Sequence, residues 1–175
     1  MRQDAKGTSL KFAVEAAGKG AGLKLAYEKA IAALKKVDGV LDATHGCKGD
    51  DDEKPAAIDI VFDATKAVVL TALAKAAAVE AGERSIKLGA ATIKIAGALY
   101  RKDEFWIFEE PSNLRAIISI TNEEVVAKIA KIVGAEKVDG TITGSMEQQE
   151  AFEPSDPQRK IVTTKITVSE FVKKP

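Results

Sequence analysis

Leu10-Lys11-Phe12-Ala13-Val14-Glu15, the run Gly18-Lys19-Gly20-Ala21-Gly22, and then Leu23, Tyr27, Ile31 and Leu34 carry the pattern that decides the fold of this chain. Apolar residues at every second position predict a strand with one buried face, the glycines break it, and the next apolar set recurs at helical spacing. A strand thus leads into a helix over about residues 22–37, which Asp38-Gly39 ends. Val40 to Cys47 follow as a short second strand, and Ile58, Ile60 and Phe62, alternating with Asp59 and Asp63, as a third.

Working outward, Thr65 is placed to cap a second helix through Val69, Leu73, Ala76 and Ala77 to Gly82, in a stretch dense in alanine. Ile86 and Leu88, a break at Gly89, then Ile93 and Ile95 before Gly97 predict a bulged strand or a tight hairpin. The resulting βαββαβ order is the ferredoxin-like plan, an antiparallel sheet with both helices on one face. Beyond it, Leu114 to Ile120 read as a strand, and Thr121-Asn122-Glu123-Glu124 as a capping box opening a helix with Val125, Ile129, Ile132 and Val133. Val138-Asp139-Gly140-Thr141 echoes Val37-Asp38-Gly39-Val40. A polar loop from Glu147 to Arg159 precedes a last strand with Val162, Thr164, Ile166 and Val168. The expectation is an α+β protein: a ferredoxin-like domain over residues 1–102 and a related, truncated βαββ unit over 103–175, packed on or continuing the first sheet.

Composition narrows the function classes. With 175 residues, 46% hydrophobic and 30% charged, the chain is long enough to bury a core and unlike a disordered segment. No run approaches the ~18 consecutive apolar residues that span a bilayer. Met1 to Gly7 hold no apolar leader segment, and the single Cys47 cannot form an internal disulfide, so a cytoplasmic protein without membrane contact is expected. Residues 1–100 carry 15 basic and 13 acidic side chains and residues 101–175 carry 11 and 13. Without a basic stripe, nucleic-acid binding is disfavoured.

Five segments offer chemistry. Gly18, Lys19, Gly20 and Gly22, between a strand and a helix, could turn free backbone N–H groups toward an anion, but they match neither the phosphate-loop nor the dinucleotide pattern. The acidic run Asp50-Asp51-Asp52-Glu53 lies between the second and third strands. This placement resembles palm-type nucleotidyl transferases and cyclases, whose metal-binding carboxylates sit on that hairpin and on the first strand. The resemblance implies Mg²⁺ ligands at Glu15, Asp50, Asp51 and Asp52, whereas a loop of about eight residues containing Pro55, and no aspartate on strand one, depart from it. His45 and Cys47, two apart, are too few for a structural zinc and lack an orienting third group for nucleophilic catalysis.

The fourth segment, Tyr100 to Pro111, concentrates four of the chain's nine aromatic residues: Tyr100, Phe105, Trp106 and Phe108. It reads either as a buried strand joining the two halves or as an aromatic anchor for another chain. Its acidic flanks, Asp103, Glu104, Glu109 and Glu110, argue against stacking on single-stranded nucleic acid. In the fifth, Thr141, Thr143 and Ser145 face Thr163, Lys165, Thr167 and Ser169 across a C-terminal hairpin and form one polar, β-prone face. The leading expectation is a non-catalytic interaction or assembly module without a cofactor, contacting a protein partner or its own copies through the aromatic strand and this hairpin. A palm-type Mg²⁺-dependent nucleotide enzyme, and a small-ligand or RNA-binding regulatory domain using the glycine run, are the alternatives.

Overall fold

A computed structural model describes residues 7–18, 21–49, 56–63, 65–66, 68–109, 116–153 and 156–175. Among these, three helices accompany nine strands paired into one mostly antiparallel sheet, and the protein is α+β. The chain divides into two compact units, Met1–Ala91 and Thr92–Pro175. Among the described residues, no helix is long and apolar enough to cross a membrane.

The first unit holds β1 (Gly7–Ala17), α1 (Leu23–Leu34), β2 (Val40–His45), β3 (Ile58–Asp63), α2 (Leu70–Ala77) and β4 (Val79–Ala81). It also holds the start of β5, which runs Arg84–Lys102. Strand order is β2-β3-β1-β5, with β3 antiparallel to both β2 and β1. The register sets Leu10 against Ile60 and Phe12 against Ile58, all four buried, as the alternation requires. Leu23, Ala26, Tyr27, Ala30 and Leu34 form the buried stripe of α1, and Leu73 and Ala77 that of α2.

The second helix departs from expectation at both ends. Thr65 does not cap it: its N–H and hydroxyl both donate to Asp63 Oδ1, at 2.9 and 2.7 Å, in a turn that closes β3. At the other end, Val79 to Ala81 leave the helix to pair with Ile86 to Arg84. Gly82, at φ 60°, supplies the left-handed turn between them. Strand pairing at this turn overrides the helix propensity of the alanines.

Strand β5 is neither interrupted nor folded into a hairpin at Gly89; it is one strand of 19 residues. Its alternation slips by one, since Ile86 is buried at an even position and Ala91, Ile93, Ile95 and Leu99 at odd ones.

The second unit continues with the rest of β5, then β6 (Phe105–Glu109), β7 (Ala116–Ser119), α3 (Glu123–Ala130), β8 (Val138–Glu153) and β9 (Asp156–Lys173). Asn122, not Thr121, caps α3, accepting from the N–H groups of Glu124 and Val125 at 2.9 and 3.3 Å. Strand order is β5-β8-β9-β7. The three neighbours β8-β9-β7 repeat the order β2-β3-β1, but β7 runs parallel to β9 where β1 runs antiparallel to β3. The strand directions of the second set therefore do not copy the first.

Among the described residues, the segment expected as a polar loop is strand. Glu147 to Glu153 and Asp156 to Arg159 are strand, paired from Gln148↔Thr164 through Phe152↔Lys160 to Glu153↔Asp156. Glu147 and Gln149 are exposed on this long ribbon, whereas half-buried Gln148 donates its amide to the Thr164 hydroxyl at 3.0 Å. Near its base, Thr143 pairs with Glu170 and Gly144 with Val168, leaving Ser169 as an extra residue that donates its hydroxyl to the Thr143 carbonyl at 3.0 Å. This bulge lets Val168 and Phe171, three positions apart, both turn inward.

Candidate functional site

Packing accounts for two glycines of the run, Gly18 and Gly22. A Cβ at Gly18 would strike the Glu83 carbonyl and one at Gly22 the Ala81 carbonyl, and both glycines have positive φ, 85° and 106°. The Gly18 carbonyl accepts from the Arg84 guanidinium at 2.6 Å, and Gly22 is the N-cap of α1. Lys19 and Gly20 lie outside the described residues.

Asp50, Asp51 and Asp52 lie outside the described residues as well. Glu15, the remaining candidate metal ligand, is exposed on β1 and paired with Lys87 at 2.8 Å, and this hydrogen bond holds the Lys87 ammonium above its ordinary range. Among the described residues, no group of three or more His, Cys, Asp and Glu side chains could hold a metal ion. The Glu15–Lys87 pair borders an open groove of about 560 Å³ in the first unit, shared with Ala17, Ala78, Glu80 and Ser85.

Tyr27 packs its ring on that of His45, with centroids 5.1 Å apart, and donates its hydroxyl to the Ala56 carbonyl at 2.8 Å. Cys47 is buried, and its thiol donates to the Gly49 carbonyl. His45 Nδ1 is the one buried side-chain nitrogen or oxygen among the described residues without a hydrogen-bond partner.

The aromatic segment is a hairpin. Asp103, at φ 54°, takes the left-handed conformation that short polar side chains tolerate. It turns β5 into β6, pairing Leu99 with Phe108, Tyr100 with Ile107 and Arg101 with Trp106. Phe108 lies across Gly97, where a Cβ would come within 2.6 Å of the ring. Arg101 stacks its guanidinium over Trp106 at 5.8 Å. On the opposite face Glu109 accepts from Tyr100 at 3.0 Å and from Lys137, whose ammonium also lies 5.5 Å from the Tyr100 ring. The Lys137 ammonium, then the Tyr100 hydroxyl, hold the Glu109 carboxyl below the usual carboxylate range. Hydrogen bonding to Glu109 pushes the Tyr100 phenol and the Lys137 ammonium up. Of the four aromatic candidates, Phe105 is left 72% exposed, while Tyr100, Trp106 and Phe108 are half-buried.

Of the expected polar residues of the C-terminal hairpin, Ser145 pairs with Thr167, whereas Thr141 and Thr143 pair with Val172 and Glu170, and Lys165 and Thr163 pair with Glu147 and Gln149, residues of the expected loop. The hairpin's other face carries the second unit's core, including Ile142, Met146, Ile166 and Val168. By the period-two rule that same face continues to Phe152 and Val162, which are 59% and 42% exposed; Ile161, on the polar side, is 37% exposed. Sequence reasoning missed Phe152 because it fell inside the expected loop. The even-numbered alternation Ile142, Gly144, Met146, Gln148 was the signal that the strand ran on. Against known proteins, the chain matches no family model, and no curated protein or solved structure matches it.

Proposed function

We propose that the protein is a non-catalytic interaction or assembly module, binding a protein partner or further copies of itself through the distal β8–β9 hairpin and the β5–β6 aromatic hairpin. The observation that carries this reading is the exposure of Phe152 and Val162 on the face of the long hairpin that nearer its base holds buried Met146 and Ile166, the hydrogen-bonded pair Gln148 and Thr164 lying between. A two-stranded ribbon is marginal alone in water, and exposed apolar clusters on such a ribbon gain most by being covered. The exposed Phe105 at the tip of the other hairpin supports a second contact.

The finer architecture belongs to the same proposal. In the first unit β1 and β2 are both antiparallel to the intervening β3, so they run parallel to each other around a split βαβ unit. That arrangement supports reading the first half as ferredoxin-like. The parallel β7–β9 pair speaks against a second copy of the same plan.

The test is solution mass by light scattering after size exclusion, across a concentration series, for the protein and for the double variant Phe152→Asp with Val162→Asp. A multimer that falls toward monomer in the variant supports the module. Truncating an interface anchor typically costs ~2 kcal/mol or more, roughly a thirtyfold loss of affinity. If the wild type is monomeric at every concentration, the same pair of proteins is compared in partner capture from extract. A multimer with unchanged mass in a folded variant would remove the hairpin from the contact surface.

A further inference from the structure

We draw no further inference here: the strongest candidate, the exposed apolar patch of Phe152 and Val162 at the distal end of the β8–β9 hairpin, belongs to the surface already described, and nothing in the structure shows what covers it.

Discussion

Replacing Gly97 by alanine tests how the aromatic hairpin is held together. The added Cβ would lie 2.5 Å from the Glu109 carbonyl oxygen and 2.6 and 2.9 Å from two carbons of the Phe108 ring. A ring can tilt away, but the carbonyl belongs to the β6 backbone, which must shift as a strand. Overpacking of this kind costs about 1–3 kcal/mol. Alanine returns about 0.4–1 kcal/mol by restricting the unfolded chain. The net expectation is a loss of about 1–2 kcal/mol, or about 2–8 °C in melting temperature for a chain of this size. Trp106, the only tryptophan, sits on the displaced strand opposite Arg101, so urea unfolding followed by its fluorescence reads the perturbation where it occurs. Adding Phe108→Leu should recover only part of the loss, because the carbonyl contact remains. A Gly97→Ala variant as stable as the parent, with unchanged Trp106 emission, would show that β6 does not lie against Gly97.

Two further outcomes follow from the side-chain geometry. Glu109 has a lowered folded-state pKa, so its contribution is present above the ordinary carboxylate range and is lost as pH falls through the lowered value. Glu109→Gln should therefore flatten the acid side of the stability–pH profile while leaving a smaller bond to Tyr100; urea midpoints from neutral to acid pH check this, and an unchanged slope would refute it. His45→Phe keeps a ring against Tyr27 and removes the buried, unpartnered Nδ1, so it should be neutral or stabilising by up to ~1 kcal/mol in thermal melts. A clear loss would mean that Nδ1 makes a bond.

Much of the first unit was legible because its strands alternate cleanly and its glycines stop them. Leu10, Phe12, Ile58, Ile60 and Phe62 all lie buried where the period-two pattern put them. The failures share a physical cause, which is that pairing partners are not local information. Val79 to Ala81 sit in a helix-prone alanine stretch until Arg84 to Ile86 offer them a ladder. Glu147 to Glu153 look like loop because their polar composition hides the alternation that continues from Ile142, and their partner strand β9 lies further along the chain. The direction of β7 is likewise invisible in Ile117-Ile118-Ser119, since either sense would show the same residues. For the site, the aromatic residues were legible as a cluster, whereas the exposure of Phe152 depended on knowing how far the hairpin extends.

Strand β5 has a consequence for how the molecule can be taken apart. Chains with two compact units usually pass between them through an exposed linker, which is where proteases nick and where separate expression succeeds. Here the boundary between Ala91 and Thr92 falls inside about 60 Å of unbroken extended backbone whose groups belong to a sheet. A cut at that point would split a strand rather than a linker. Insolubility of the separated pieces would then say nothing about the solubility of the whole.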